Sequence, residues 1–522
     1  MDTEPLLAAL FNALIKTMNE NKKKAATSYI AVLIAAIVFY IIGCAPGPLW
    51  QDSGMYHYRI WHNDIEGKLG LALSHPLYHI IGIGVKYIPL GEFAYRVNLI
   101  SAIAAAFAIA NLFLLLRLWL GKNLPALLAA ITLALSWTIW QFASIAETYT
   151  LYSALLFAEL IMLLQYVKTK RAGFLYLLAL FNGLAIANHM WAVIPFTCYV
   201  VFVAVLLIQK QIRPRNLAVI VSFWVIGAAP YEYLIIKNAI QTGDFTATLA
   251  SAFFGKSWSG AVLNTHLSAR IVGENLIFMA YNFSTFNGLF LFVGLYGLKK
   301  VSPGRSFANV LLALLILFFV FAFRYTVPDR YAFFIPFYCV GSIIGGVGFD
   351  LFITQPNRKI LRGIVFFLAL FPVPTYIVAP VIAQKMQFNL STKRDIPYRN
   401  EYIWFLRPWQ RSNYGPEQFA NEVFNTAEQN SVIYADSTTA FPLLYLQEVK
   451  KSRSDVKIIS GIASSEDSPE FNEQTITKLL AERAVYVVSP IEGYCPDFLL
   501  ERYDFVPAGV IWRIVEKGRN KY

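Results

Sequence analysis

The stretch AYRVNLISAIAAAFAIANLFLLLRL (94–118) identifies the solvent in which this chain folds. Between Arg96 and Arg117 it carries no charge, and its only polar side chains are Asn98, Ser101 and Asn111. The hydrocarbon core of a bilayer is about 30 Å thick, and one helical crossing takes roughly 20 mostly apolar residues. Stretches of this kind recur from residue 27 to residue 383. They make the 522-residue chain 57% hydrophobic and only 15% charged, with a positive mean hydropathy. An ordinary water-soluble domain is far less apolar. The reading is a polytopic α-helical membrane protein.

Working outward, eleven spans are predicted, at 26–45, 96–120, 123–141, 146–167, 172–190, 191–209, 216–236, 273–298, 307–324, 331–353 and 362–383. Their connections alternate in charge. One set holds Lys22 to Lys24, Arg117 with Lys122, Lys168 to Arg171, Lys210 to Arg215, Lys299 to Arg305, and Arg358 to Arg362, while the other set is poor in Lys and Arg. The positive-inside bias makes the first set cytoplasmic. The N-terminus is then inside and, after an odd number of spans, the C-terminal part is outside. Residues 1–25 read as a cytoplasmic amphipathic segment, with Leu6, Leu10, Phe11 and Leu14 on one helical face and no cleavable signal pattern. The membrane module occupies 26–391 and contains a large first outer loop, 46–95. From 392 to 522 the composition turns polar. Helices at 416–429, 439–450 and 469–483 alternate there with strands at 431–435, 456–460, 485–489 and 509–515, which predicts a soluble, extracytoplasmic α/β domain.

Several function classes fall away. The net charge of +12 sits in the clusters between spans, so orientation in the membrane accounts for it and no nucleic acid partner is expected. Cys44, Cys198, Cys339 and Cys495 have no metal-ligand spacing and imply no disulfide framework. There is no P-loop and no GxSxG elbow, and Gly82 with Gly84 lacks the third glycine and the preceding strand of a dinucleotide fingerprint. The six histidines show no HExxH-like spacing, so no metal site is predicted.

Charged side chains are costly in hydrocarbon, which makes their depth informative. Asp52, Glu147, Glu232, Glu274 and the Asp329–Arg330 pair all fall near the outer ends of spans, together with His57, His62, His75, His79 and His189. Singly, a carboxylate at a helix start can answer the helix dipole, worth about 0.3–1 kcal/mol. Together they mark an outward-facing site. Glu159 is the one acid predicted in mid-span. The stretch SHPLYHIIGIGVKYI (74–88), broken by Pro76, Gly82 and Gly84, is predicted to lie along the membrane surface.

Taken in order, QDSGMYHY (51–58), SHPLYHIIG (74–82), the 94–118 stretch, AETYTLYSALL (146–156), GLAIANHM (183–190), VPDRYAFFIPFYCVGSIIGGVGFD (327–350) and YADSTTAFPLLYLQEVKKSRSDVKII (434–459) resemble the membrane family of GT-C glycosyltransferases. That family carries DSGE, HPPGYPLY and R-x-N-L-x-SA elements and includes protein O-mannosyltransferases. The resemblance implies a GT-C-like fold and single-step transfer of a sugar, mannose among the candidates, from a polyprenyl-phosphate donor. It also implies an active-site acid in the first outer loop, the position of Asp52. Met55 stands where the pattern has Glu, which removes a second carboxylate and the support it would give to a divalent cation. Leu77 replaces a proline.

The chemistry is sound in its own right. A lipid phosphate is a weakly basic leaving group and departs without a strong general acid, so a single base suffices. Asp52 is assigned to take the proton of the acceptor hydroxyl. Arg330, Arg96 and His75 are assigned to the donor and its phosphate, and Glu147, His189, Tyr56 and Asp329 to the sugar or acceptor. The plainer alternatives are a loop cap formed by Asp52 with Ser53 and Gly54, and an ion pair of Arg330 with Asp329. Protein, glycolipid and polysaccharide acceptors all stay open, and the expected location is the bacterial inner membrane. The competing readings are a membrane transporter or lipid flippase, which Glu159 favours, and a sensor or scaffold with a binding domain outside.

Overall fold

Long apolar runs in hydrocarbon leave the helix as the way to satisfy every backbone N–H and C=O within one segment. The computed structural model describes residues 20–256, 258–301, 303–327, 329–355, 357–390, 395–460 and 472–518; the amphipathic stretch predicted around Leu6 to Leu14 lies outside them. Eight helices are long and apolar enough to cross a membrane: Ala25–Gly43, Phe93–Leu120, Tyr149–Thr169, Met190–Ile208, Pro214–Thr242, Arg305–Arg324, Arg330–Ile353 and Lys359–Lys385.

The remaining three predicted spans are not plain crossings, which corrects the count of eleven uninterrupted ones. Gly173–Asn188 is a helix of 16 residues that stops at His189. Asn123–Ala134 and Trp137–Ala143 meet at 67°, and Ala269–Asn282 and Phe286–Val301 meet at 108°. Average hydropathy runs straight through such bends. They are made instead by local side-chain bonds that compete with the helix ladder. Ser136 Oγ donates to Leu133 O at 2.7 Å, and Thr285 Oγ1 accepts the Asn287 N–H at 3.3 Å. The two breaks also hold each other, because Asn282 Oδ1 accepts from both the backbone N–H and the hydroxyl of Thr138, at 3.0 and 2.8 Å.

Burial separates the centre of the bundle from its lipid-facing rim. In their 18-residue apolar stretches, Phe93–Leu120, Tyr149–Thr169 and Arg330–Ile353 have 72%, 72% and 78% of residues buried and form the centre, whereas Ala25–Gly43, at 17%, and Pro214–Thr242, at 28%, lie at the rim. Gly173–Asn188 packs on Pro214–Thr242 backbone to backbone. A Cβ on Gly183 would stand 2.3 Å from Trp224 O, and one on Gly227 2.3 Å from Leu180 O. Small residues permit this approach where no hydrophobic force drives helices together.

The first long loop is built rather than slack. It holds the helices Gln51–Trp61 and Pro76–Lys86, the second of 11 residues and too short to cross. The C-terminal part contains a five-stranded sheet of β1 Val432–Ala435, β2 Lys457–Ser460, β3 Val485–Val487, β4 Tyr503–Ala508 and β5 Ile511–Glu516, in the order β2-β1-β3-β5-β4. β1 pairs in parallel with β2 and β3, and β5 runs antiparallel to β3 and β4. β4 was not foreseen, because its sequence YDFVPA contains a proline. An edge strand tolerates that residue. The domain rests on the first loop helix and on the start of Phe93–Leu120: Gln51 N–H donates to Thr438 O at 3.3 Å, Ala94 N–H to the Tyr445 hydroxyl at 3.1 Å, and Lys450 Nζ pairs with Glu92 at 2.7 Å. The sheet and the 46–95 loop therefore share one end of the bundle.

Candidate active site

Asp52 sits in the first turn of Gln51–Trp61, where the peptide dipoles favour negative charge. No side chain caps that helix start, so the loop-capping alternative is not what is built. The neighbouring residues have a packing reason. Ser53 is buried, and a Cβ on Gly54 would lie 2.4 Å from Leu49 O and 2.7 Å from Phe441 Cβ. Gly54 is thus the point where the C-terminal domain lands on the helix of Asp52.

The R-x-N-L-x-S element of Phe93–Leu120 supplies the scaffold. Arg96 Nη1 donates to the carbonyls of Val85 and Lys86, at 3.4 and 3.1 Å, closing the end of Pro76–Lys86. Asn98 Nδ2 donates to Ala45 O and Gly47 O at 3.0 and 3.1 Å, and its Oδ1 meets His57 Nε2 at 2.9 Å, so one amide fixes both the exit of the first span and the Asp52 helix. Ser101 Oγ accepts the Glu147 N–H at 2.9 Å and donates to Glu147 O at 2.8 Å. That clamp sets the chain just before Tyr149–Thr169, where Glu147 lies buried.

Asp329 completes the group from the far side of the sequence, with the Tyr149 hydroxyl donating to its Oδ2 at 3.4 Å. The three acids come from three segments and sense one another. Asp52 keeps accessible surface but stands deep in protein, and its carboxyl is raised to about 6, first by desolvation and then by the charge of Asp329. Glu147 is held well above the usual carboxylate range, first by burial and then by Asp52 and Asp329, with the Tyr56 hydroxyl donating toward it. Asp329 is raised by burial, with Tyr149 opposing. Their proton affinities are thereby pushed apart, the pattern that divides base from hydrogen-bond donor. Among the described residues no group of three or more His, Cys, Asp or Glu is disposed to hold a metal ion.

His75 and His189 meet as a stacked pair, centroids 5.0 Å apart. His75 adopts a left-handed backbone, φ 48°, ahead of Pro76, and its Nδ1 donates to Asn188 O at 2.8 Å, leaving Nε2 as the acceptor face. His189 Nδ1 accepts the Trp191 N–H at 3.1 Å. Tyr56 lies edge-on to His79 at 5.2 Å and to His75 at 6.2 Å. Asp52, Tyr56, Glu147, Asp329, His75 and His189 are therefore brought to one region. Arg330 adjoins it but pairs with Glu274, not Asp329, and its Nε donates to Asn275 Oδ1 at 3.2 Å. Arg96 is spent on a helix end.

Sequence reasoning missed the aromatic wall and one cation. Tyr149 stacks on Trp191 at 4.9 Å, and Tyr331 on Trp137 at 4.8 Å. The Arg399 side chain is covered, pairs with Glu401 at 2.9 Å and lies within electrostatic reach of Tyr331. An arginine just before the amphiphilic run EYIWFL (401–406) was the available signal.

Over nearly its whole length the chain superposes on ArnT from Cupriavidus metallidurans, in the crystal structure bound to undecaprenyl phosphate and in the apo state. The TM-score is 0.60 at 14% identity, covering 94% of this chain and 98% of that one. This is the GT-C glycosyltransferase fold. Residues 71–212 also match the sequence model of the protein O-mannosyl-transferase TMEM260 N-terminal domain. The mouse protein O-mannosyl-transferase TMEM260 is 25% identical over 187 residues, which are 34% of this chain and 27% of that protein. The match thus spans about a quarter of the mouse relative. Within the GT-C fold, the matched region holds His75, Arg96, Glu147 and His189, while Asp52, Tyr56, Asp329 and Arg330 lie outside it.

Proposed function

We propose that this chain is an integral-membrane glycosyltransferase that moves a sugar, mannose first among the candidates, from a polyprenyl phosphate to the hydroxyl of an extracytoplasmic acceptor. The observation that carries the reading is the convergence of Asp52, Glu147 and Asp329 at one end of a GT-C bundle. The likeness to ArnT, whose structure holds undecaprenyl phosphate, supports the donor class, and the partial match to a protein O-mannosyl-transferase supports the sugar. Asp52 accepts the acceptor's hydroxyl proton as its oxygen attacks the anomeric carbon. The bond from that carbon to the phosphate oxygen breaks, and the electron pair leaves on the lipid phosphate. Glu147, in its protonated form, donates to a sugar or acceptor oxygen. Arg330, steadied by Glu274 and Asn275, meets the phosphate. The charge bias supports a cytoplasmic N-terminus with this end outside, and the proposed location is a bacterial inner membrane. Glu159 accepts from Asn182 Nδ2 at 3.4 Å, and Asn182 also donates to Ala192 O at 3.3 Å, an interhelical stitch that gives a transport route no particular support.

The test is transfer by purified protein in lipid nanodiscs, with labelled polyprenyl-phosphate mannose and a hydroxyl acceptor. The expected result is release of polyprenyl phosphate and labelled product, slowed by about 10²–10⁴-fold in Asp52→Asn. An undiminished rate in that variant removes the assigned base. Solute movement into vesicles without donor consumption removes the transferase reading.

A further inference from the structure

In parallel α/β sheets, ligands collect beyond the carboxyl ends of the strands, where successive connections leave to opposite sides. Here that point is β1, with β2 on one side and β3 on the other. Two cavities lie there. The larger, about 450 Å³, is walled by Ile396, Val488, Ile491 and Trp512, with Ser489 and Asp395 as polar groups. The smaller, about 240 Å³, is lined by Tyr434, Tyr494 and Asp497 among others. Between them runs the loop from Asp436 to Ala440, which contributes Thr439 to one cavity and Asp436 to the other. The Asp436 carboxylate fixes this loop by accepting the Thr438 N–H at 2.8 Å and the Thr439 hydroxyl at 2.9 Å. The Thr438 carbonyl, in turn, holds the Gln51 N–H, one residue before Asp52. Whatever occupies these cavities rests against the loop that holds the start of the helix carrying the proposed base.

The lining chooses the occupant. A glycan bears a hydroxyl on nearly every carbon, and each one buried needs a partner. The larger cavity offers aliphatic and indole walls with few polar groups, which suits an apolar side chain. Asp395 and Asp497, one at each cavity, are exposed and form no ion pair with a described residue. They complement a cation. We infer that the carboxyl end of this sheet is the acceptor site, and that it takes a polypeptide presenting an apolar residue beside a basic one. The acceptor role rests on the transferase reading above.

The experiment uses the full-length protein in nanodiscs and a fluorescein-labelled ten-residue peptide with one Thr flanked by a Leu and two Lys. Asp395→Lys and Ile491→Glu both alter exposed positions and so spare the fold. Each is expected to weaken peptide binding, read by anisotropy, about tenfold, or about 1.4 kcal/mol. Acceptor KM should rise by the same factor, with the loss falling on KM rather than on kcat. Replacing the peptide's Leu by Asp should weaken binding similarly. Unchanged binding and KM in both variants overturns the inference, as does a wild type that ignores the peptide and binds a neutral oligosaccharide sensitive to Ile491→Glu. Peptide binding without donor consumption by the wild type removes the transferase reading and leaves the peptide site standing.

Discussion

An aspartate with an ordinary pKa near 3.9 is a weak base toward an acceptor hydroxyl. Asp52, raised to about 6 by desolvation and by Asp329, holds a proton more firmly and is still mostly ionised at neutral pH. Because the carboxylate is the working form, kcat/KM should climb as pH passes upward through about 6 and level above it, checked by initial rates from acid to neutral pH. Asp329→Asn removes the neighbouring negative charge, so this acid limb should move to lower pH; a limb that stays in place would detach it from Asp52. Glu147 is held toward its protonated form. Glu147→Gln keeps a hydrogen-bond donor and should retain far more activity than Glu147→Ala in the same transfer assay. The three acids were legible in the sequence because polar residues at span ends are few. The cations were less so. Arg330 is partnered by Glu274, which lies 56 residues away, and Arg96 turns to carbonyls on another helix, choices that only folding reveals. Tyr149, Trp191 and Tyr331 were invisible for a simpler reason: in a chain that is 16% aromatic, no single ring stands out.

Among the elements, the helix Gln51–Trp61 is held from two sides, by Asn98 through His57 and by Phe441 against Gly54. Overpacking a tight contact of this kind costs about 1–3 kcal/mol. Gly54→Ala should therefore lower the thermal unfolding midpoint in detergent and slow transfer, while Gly84→Ala, with nothing within 4 Å of the added Cβ, should change neither. Ser101→Ala removes the clamp on Glu147 and strands a buried backbone N–H, a loss of about 1–3 kcal/mol measurable in the same thermal assay. Helix identity was readable throughout because charge-free runs of this length admit little else. The bends were not. The 67° and 108° breaks depend on Ser136, Thr138, Asn282 and Thr285, residues too mild to interrupt a hydropathy profile. In the sheet domain, short runs rich in Val, Ile and Tyr exposed four strands, and Pro507 concealed the fifth.

For the whole molecule, the sheet domain is packed onto the membrane bundle rather than appended to it. Trp50 packs on Phe419 at 5.4 Å, Gln410 N–H donates to Gly43 O at 2.8 Å, and Trp140 meets Trp409 at 4.8 Å. A chain ending at residue 390 would expose these apolar faces and leave Gln51–Trp61 with only one of its two supports, the Asn98 amide. Its expected behaviour is aggregation on size-exclusion chromatography and no sugar transfer, whereas a monodisperse and active truncation would show that the domain is dispensable. The tie between His62 and Glu448, 386 positions apart in sequence, also sets a clock on biogenesis. A ribosome adding about 5–20 residues per second needs roughly 20–80 s to travel from one partner to the other. During that interval the segment bearing Asp52 has already emerged but lacks its counterpart. A nascent chain that has passed Lys385 but not yet reached Glu448 therefore holds all the described membrane helices and still has an unassembled site, so the sheet domain licenses the helix of Asp52.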